Sequence, residues 1–290
     1  MTCIVLFVKL DIVKMLKSPK KFLGEIYDKY CIDTWLRVHK RTTAILGPRY
    51  RRKRGLYIEI DLTYRCNLKC INCNRSCRQA PSNEEITVGQ IQKFIKESVD
   101  NKVKWEKIRV LGGEPTLHQN LLEILGLLLE YKKSSSHDTL IELVSNGCGK
   151  KINKVLSVVP EGIEIENTSK TTEYQAFTPF NIAPKDIPRY SVADFSNGCY
   201  IPAYCGIGLT RYGYYCCAVA GSIDRVFGFD IARKSIPLPP DLMVDHMEVF
   251  CRLCGHFITR YGTCKDEVMS PTWKEAYRKF QEAKPNLSLY

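Results

Sequence analysis

Three cysteines lie close together in the segment YRCNLKCINCNRSC, which runs from Tyr64 to Cys77. Cys66, Cys70 and Cys73 are separated first by three residues and then by two. A structural zinc site has all four positions filled by protein ligands, commonly from paired CxxC elements. A four-iron cluster held by three local thiolates leaves one iron without a protein ligand, and chemistry can occur at that iron. The spacing therefore favours a catalytic iron-sulfur cluster over a zinc finger.

Strand and helix patterns alternate from Tyr57 onward and must position this loop. The strand-like segments are LYIEIDL, KIRVLGG, TLIELVSNG and GIEIENT, and the helix-like segments between them are TVGQIQKFIKESVDN, NLLEILGLLLEYKK and KKINKVLSVV. Repeated strand and helix units predict a parallel sheet with right-handed crossovers. In such sheets the carboxyl ends of the strands share one edge, where ligands bind.

Polar or cysteine-containing loops follow each of the four predicted strands. In chain order they are the cysteine motif, GGEP (Gly112 to Pro115), SNG (Ser145 to Gly147) and ENTS (Glu166 to Ser169). We therefore expect these four loops to face one cavity at the carboxyl edge of the sheet.

The cysteine spacing, together with GGEP after the next strand, resembles the radical S-adenosylmethionine (SAM) superfamily over roughly residues 55 to 195. The resemblance implies an α/β fold built as a partial (β/α)6 barrel. It also implies that the open iron binds the amino and carboxylate groups of SAM. In that family the reduced cluster splits SAM into methionine and a 5'-deoxyadenosyl radical, which abstracts a hydrogen atom from the substrate.

The same resemblance assigns roles to individual residues. Cys66, Cys70 and Cys73 become ligands of a 4Fe-4S cluster. The residues expected to contact SAM are Gly112, Gly113, Glu114 and Pro115 at its methionine moiety, and Ser145 and Asn146 at its ribose or carboxylate. One position departs from the family, because Asn72 precedes the third cysteine where an aromatic residue that helps to hold adenine is usual.

A second cysteine-rich region follows the predicted barrel, with a hairpin that turns near Arg211 to Gly213. A cysteine, a hairpin, another cysteine and a distant CxxC resemble the twitch or SPASM-type auxiliary domain of some radical SAM enzymes. The resemblance implies a second, auxiliary 4Fe-4S cluster. The ligands expected for it are Cys217, Cys251 and Cys254, with either Cys199 or Cys205 as the fourth. A zinc ribbon is the alternative, since two separated pairs also make a tetrahedral site.

Spare thiols in this region suggest two chemical outcomes. A thiol that returns hydrogen to the opposite face of a substrate radical inverts the carbon, and Cys216 is a candidate donor, as are Cys199 and Cys264. If the auxiliary cluster instead accepts an electron from the radical, the product is oxidised. A buried free thiol is the structural alternative for each of these cysteines.

Composition sets the remaining expectations. The chain has 290 residues, of which 44% are hydrophobic and 26% charged, with a formal net charge of +12. These values predict a globular protein, and no apolar run approaches the roughly 20 residues that cross a bilayer. With no small-residue cleavage site after the first residues, we expect a cytoplasmic protein. We divide it into a basic helical cap (1–55), the barrel (56–195), the auxiliary domain (196–270) and a C-terminal helix (271–290).

These observations favour a radical SAM enzyme acting on a hydroxylated small molecule, such as a sugar or an aminoglycoside, by epimerisation or oxidation. A flavodoxin- or ferredoxin-type protein is the expected electron donor, with no nucleic acid and no membrane span involved. One alternative is an enzyme that modifies a ribosomally made peptide. Another, of a different class, is a zinc-stabilised module that binds nucleic acid through the basic run Arg49 to Arg54, but it leaves GGEP unexplained.

Overall fold

The computed structural model describes residues 56–172, 174, 179–258 and 266–290. The predicted basic cap and Cys264 lie outside these residues. A six-stranded sheet with the order β4-β3-β2-β1-β5-β6 forms the centre of the fold. Its strands are β1 (Tyr57–Thr63), β2 (Lys107–Gly112), β3 (Leu140–Ser145), β4 (Glu164–Asn167), β5 (Ile207–Thr210) and β6 (Gly213–Tyr215). The β5 and β6 strands are antiparallel, and the other neighbouring pairs are parallel.

Helices connect and cover these strands. They are α1 (Val88–Asp100), α2 (Leu121–Ser135), α3 (Lys150–Leu156), α4 (Ile201–Tyr204), α5 (Ala218–Phe227), α6 (Val244–Cys251) and α7 (Pro271–Glu282). Thr87 caps α1 in a reciprocal capping box with Gln90. No helix in the described part of the chain is both long and apolar enough to cross a bilayer. The predicted α/β class with a mainly parallel sheet is confirmed.

The two faces of the sheet differ in chemistry. Side chains alternate between the faces along each strand. The apolar face of β1 to β3 carries Ile58, Ile60, Leu62, Ile108, Val110, Ile141 and Leu143, all fully buried. They belong to one core cluster with the buried sides of α1 and α2, including Phe94 and Leu125. Each fully buried aliphatic side chain contributes about 1.5–3 kcal/mol. The opposite face, which we call the inner face, carries charged residues.

The predicted hairpin of the auxiliary region belongs to the main sheet. β5 pairs in parallel with β1, with Ile207 opposite Ile58 and Leu209 opposite Ile60. β1 therefore lies inside the sheet, with β2 on one side and β5 on the other, which protects the backbone groups of its second edge. The sheet continues across the domain boundary predicted at residue 195, because β5 and β6 follow that residue and join the sheet of β1 to β4. The limits of the four predicted domains stay predictions.

This pairing places the two cysteine regions at opposite edges of the sheet. The first cysteine loop follows Thr63, at the carboxyl end of β1. Cys205 precedes β5, whose first residue pairs with the start of β1. Cys217 follows β6, whose last residue, Tyr215, pairs with Gly208 near the start of β5. The charged inner face of the sheet runs between the two edges.

Candidate functional site

The first cysteine loop brings three thiols near each other at the carboxyl edge. Burial raises the pKa of Cys66 to about 12, the Leu68 N–H lowers it in part, and the nearby Cys73 and Cys70 raise it further. Cys73 behaves differently, because a hydrogen bond from Cys77 lowers its pKa to about 6. A metal ligand must be a thiolate, and the hydrogen bond from Cys77 favours that form of Cys73.

Cys77 thus has a contact that the sequence did not reveal. It is buried and donates its hydrogen bond to Cys73, four residues earlier. Hydrogen bonds to cluster sulfurs change the reduction potential of an iron-sulfur centre. The only sequence signal for this contact was the spacing of four residues between Cys73 and Cys77.

Asn72 fixes the loop to a distant part of the chain. Its backbone has a φ of 57°, a conformation that asparagine tolerates better than most residues, and its side chain is fully buried. The side-chain amide donates to the Asp266 carbonyl (3.2 Å) and accepts from the Val268 N–H (3.3 Å). These bonds tie the cysteine loop to the segment that leads into α7, which differs from the adenine contact usual at this position.

The two glycines of GGEP let the end of β2 approach the backbone of the cysteine loop. A Cβ on Gly113 would lie 2.2 Å from the Arg65 carbonyl oxygen, and one on Gly112 would lie 2.5 Å from that of Thr63. Gly112 also has a φ of 135°, which favours glycine. The Gly113 N–H donates to Thr63 (2.7 Å) and the Glu114 N–H to Arg65 (2.8 Å). The glycines therefore hold the loop in place, and their approach to methionine stays a prediction.

Glu114 connects the GGEP and SNG loops. Its fully buried carboxylate accepts hydrogen bonds from the Thr116 N–H and hydroxyl, the Ser145 hydroxyl (2.9 Å) and the Asn146 N–H (2.9 Å). Asn146 in turn donates to Asn67 (2.8 Å), next to Cys66. Pro115 begins the short 3-10 helix that follows. The structure thus brings together the residues expected to contact SAM, beside the first cysteine loop.

The second cysteine region forms a separate group. One cavity is lined by Cys199, Cys216, Cys217, Cys251, Cys254 and His256. Burial raises the pKa of Cys251, and Cys199 and Cys254 add to the shift. A hydrogen bond from Cys216 lowers the pKa of Cys217 and raises that of Cys216, so Cys217 loses its proton more readily than Cys216. The structure thus groups five thiols around this cavity, and four of them, Cys199, Cys217, Cys251 and Cys254, form one of the two ligand sets expected from the sequence.

Cys205 is not among the residues that line that cavity. Burial raises its pKa to about 12, and its next strongest influences are Glu59, Arg109 and Arg75, followed by Cys217. The sequence left Cys199 and Cys205 open as the fourth ligand, and the grouping favours Cys199. Cys216, the candidate hydrogen donor, is buried within the cavity group instead.

An extended ion-pair network covers the inner face between the two cysteine regions. We call it the inner charge network; its members are Glu59, Asp61, Arg75, Lys107, Arg109, Glu142 and Glu166. Arg109 contacts Glu59 (2.7 Å), Glu142 and Glu166. The buried Arg75, two residues after Cys73, contacts Asp61 (3.2 Å) and Glu59 (3.0 Å).

The charges in this network stabilise one another. Burial alone lowers the pKa of Arg75, but Asp61 and Glu59 outweigh it and raise the pKa above its usual value. Burial raises the pKa of Asp61 to about 6 despite Arg75. The sequence signal for the network was the alternation of charged and aliphatic residues in YIEIDLT, KIRVLG and EIEN, since strands buried on both faces are almost wholly apolar.

The donor chemistry of the first loop fits an iron-sulfur cluster. Within residues 56–172, 174, 179–258 and 266–290, no group of three or more His, Cys, Asp or Glu side chains could hold a single metal ion. A single zinc ion needs all its thiolates about 2.3 Å from one point. In a four-iron cluster each iron takes its own thiolate, so three cysteines on one loop match three of the four irons.

Comparisons with known proteins agree with this geometry. Residues 60–155 match the family model described as a 4Fe-4S single cluster domain. A GTP 3',8-cyclase of Aliarcobacter butzleri is 32% identical over 93 residues, which are 31% of this chain and 27% of that protein. These matches support the radical SAM superfamily for this part of the chain. Molybdenum cofactor biosynthesis protein 1 of Bos taurus is 29% identical over 126 residues, 40% of this chain and 16% of that protein.

This chain matches these relatives over about a quarter of their length or less. Among solved structures, the crystal structure of BtrN in complex with AdoMet and 2-DOIA aligns with a TM-score of 0.39 and 12% identity, covering 69% of this chain and 85% of that one. That likeness is too low to support an argument about activity.

Proposed function

We propose that this radical SAM enzyme abstracts a hydrogen atom from a carbinol or similar carbon of a hydroxylated small molecule that binds along the inner charge network. The observation that carries the proposal is the position of that network, between the first cysteine loop and the second cysteine group. A substrate there can be reached from the carboxyl edge by the radical and from the amino edge by a second redox group.

Each part of the chain has a task in this proposal. Cys66, Cys70 and Cys73 hold the first cluster, and SAM supplies the hydrogen-abstracting radical when bound. Glu114, through its bonds to Ser145 and Asn146, keeps the two SAM-binding loops in register. Cys199, Cys217, Cys251 and Cys254 hold the auxiliary cluster.

The charges of the network favour a neutral or cationic polyol. It contains four carboxylates and three cations, so the ionised inner face has no excess of positive charge to bind a phosphate chain. Its mixture of donors and acceptors suits hydroxyl groups, which both donate and accept hydrogen bonds. The relative from Aliarcobacter butzleri is named for GTP, a polyanion, and this network is the feature of our chain that argues for a different substrate.

Two thiol arrangements support the two possible outcomes. The surroundings of Cys205 support inversion, because the charged groups that influence it include Glu59 and Arg109 on the inner face, where we propose that the substrate binds. It replaces Cys216 as our candidate hydrogen donor. The four grouped thiols around Cys251 point to oxidation, in which the substrate loses the hydrogen atom, the hydroxyl proton goes to solvent, and one electron passes to the auxiliary cluster.

The testing experiment begins with protein reconstituted without oxygen, in which iron, sulfide and zinc are measured. About eight irons per chain, falling to about four in the Cys251→Ala, Cys254→Ala double variant, would support two four-iron clusters. About four irons plus one zinc would mean that the second site holds zinc, which cannot accept an electron from the substrate, and would therefore oppose oxidation. Zinc without iron would contradict the proposal.

A charge-matched set of substrates then tests the class of molecule. Glucose, glucosamine and glucose 6-phosphate share one ring and differ in charge. We expect substrate-stimulated formation of 5'-deoxyadenosine to follow the order glucosamine, glucose, glucose 6-phosphate. Equal or stronger stimulation by the phosphate would contradict our interpretation of the inner face. In deuterated water, deuterium incorporated at an inverted carbon by the wild type but not by Cys205→Ala would assign epimerisation.

A further inference from the structure

A surface cleft of about 380 Å³ lies between the end of the first cysteine motif and α7. We call it the α7 cleft; its lining includes Arg78, Gln79, Glu267, Lys274, Tyr277 and Arg278. Arg78 and Gln79 directly follow Cys77 in the chain. Gln79 donates to Glu267 (2.9 Å), which fixes the end of the cysteine motif to the segment before α7.

A single aromatic side chain connects this cleft to the first cysteine loop. Tyr277 lines the cleft, and its hydroxyl lies 2.8 Å from the Ser76 hydroxyl. The Ser76 N–H donates to the Cys73 carbonyl at 2.8 Å. The α7 cleft is therefore a place where the protein surface comes near a cluster ligand.

The cleft also carries positive charge that its neighbours only partly neutralise. Arg278 is paired with Glu275 and Glu282 and contributes little. Arg78 lies 3.7 Å from Glu267, a long contact between partly exposed side chains. Among the residues that the structure describes, Lys274 is exposed and forms no ion pair. The wall formed by Arg78 and Lys274 thus attracts an acidic surface.

We propose that the α7 cleft is the docking site of a small acidic electron-carrier protein of the flavodoxin type. This inference rests on the proposed function, because cleavage of SAM consumes one electron that must enter from outside the chain. The flavin hydroquinone of the carrier becomes its semiquinone, one proton goes to solvent, and one electron reaches the first cluster past Tyr277. Tyr277 lies between the lining of this cleft and Ser76, so a flavin seated in the cleft would lie near the first cysteine loop.

The test compares two reductants on the reconstituted holoenzyme. Reduced flavodoxin or dithionite is mixed with the oxidised enzyme and SAM, and the bleaching of the cluster and the formation of 5'-deoxyadenosine are followed. The docking variant is Arg78→Glu with Lys274→Glu. The matched control is Lys104→Glu with Lys133→Glu, which makes the same charge change at exposed sites in the loop after α1 and the last turn of α2.

We expect the docking variant to be reduced by flavodoxin roughly 10-fold or more slowly than the wild type at low salt, with the difference shrinking as salt rises. Reduction by dithionite and iron content should match the wild type, and the control should stay within about 2-fold with both reductants. Equal rates for the docking variant and the control with flavodoxin would overturn the proposal. Efficient reduction by a ferredoxin but not by flavodoxin would also overturn the proposal, because the carrier would then not be of the flavodoxin type.

The dithionite arm separates the two proposals. Wild-type enzyme that forms no 5'-deoxyadenosine even with dithionite would contradict the proposed function. If dithionite supports cleavage while flavodoxin reduces all variants equally, only the docking site fails.

Discussion

The two cysteine regions of this chain are assembled in different ways. The first takes Cys66, Cys70 and Cys73 from one loop after β1. The second collects its thiols from three places: Cys199 before α4, the pair Cys216 and Cys217 after β6, and Cys251 and Cys254 around the end of α6. A loop of eight residues can specify a cluster locally, whereas the second group exists only when the tertiary fold is complete.

The difference extends to how each region is held. Hydrogen bonds to other segments fix the first: the Glu114 N–H donates to the Arg65 carbonyl, and Asn72 donates to the Asp266 carbonyl. Close backbone packing helps to fix the second: a Cβ on Gly255, beside Cys254, would lie 2.3 Å from the Pro179 carbonyl oxygen. We therefore expect changes in the first region to affect SAM chemistry directly, and changes in the second to affect what happens to the substrate.

The largest expected effect comes from removing one thiol from each region. Cys73→Ser should abolish formation of 5'-deoxyadenosine with dithionite, because the first cluster loses a ligand. Cys251→Ser should keep that activity and lose about half of the iron, while turnover of substrate stops. Iron analysis and product chromatography measure both. Loss of SAM cleavage in Cys251→Ser, with the first cluster intact, would show that the regions do not have separate tasks.

A glycine pair gives the next effect. Gly113→Ala should destabilise the protein by about 3 kcal/mol, because the new methyl group overlaps the Arg65 carbonyl and displaces the cysteine loop. Gly126→Ala in α2 is the control, with nothing within 4 Å of the new Cβ, and should stabilise by about 0.5–1 kcal/mol. Chemical denaturation of the apoprotein reports both. If Gly113→Ala were as stable as the wild type, the cysteine loop would have to move aside without a loss of folding free energy, which would contradict this prediction.

Glu114→Gln tests the connection between the GGEP and SNG loops. The amide nitrogen places a donor against at least one of the donors from Thr116, Ser145 or Asn146, so we expect a loss of about 2 kcal/mol. Binding of SAM should weaken more than binding of iron, because the three cysteines lie on a different loop from the residues whose hydrogen bonds are lost. Equilibrium dialysis with labelled SAM measures the first quantity. Glu123→Gln, on the exposed start of α2, is the control and should bind SAM as the wild type does.

A pH dependence is expected from Asp61 in the inner charge network. Its pKa of about 6 in the folded protein lies above the unfolded value near 3.8, so folding favours the protonated form. Its contribution to stability is fully present below pH 3.8 and is lost as pH rises through about 6. The stability of the wild type relative to Asp61→Asn should therefore fall by on the order of 3 kcal/mol from pH 4 to pH 7. A flat difference in denaturation curves would refute this assignment.

Much of the fold was predictable because its signals are local. The strand and helix patterns from Tyr57 to Asn167, the hairpin turn after Thr210 and the start of α7 at Pro271 all appear as expected. The pairing of β5 with β1 was not predictable from these patterns, since strand partners far apart in sequence leave no local mark. The same holds for the network around Arg109, whose partners come from β1, β3 and β4.

The sequence by itself determined the motif that resembles the radical SAM superfamily. Its three cysteines lie within one short loop and its two glycines are adjacent, so both can be recognised from local spacing. Tertiary structure decided the rest. It placed the two cysteine regions at opposite edges of the sheet, kept Cys205 out of the lining of the cavity around Cys251, and used Asn72 to brace the segment before α7. These outcomes depend on which strands pair and which surfaces pack, and those choices are made by contacts between residues far apart in the chain.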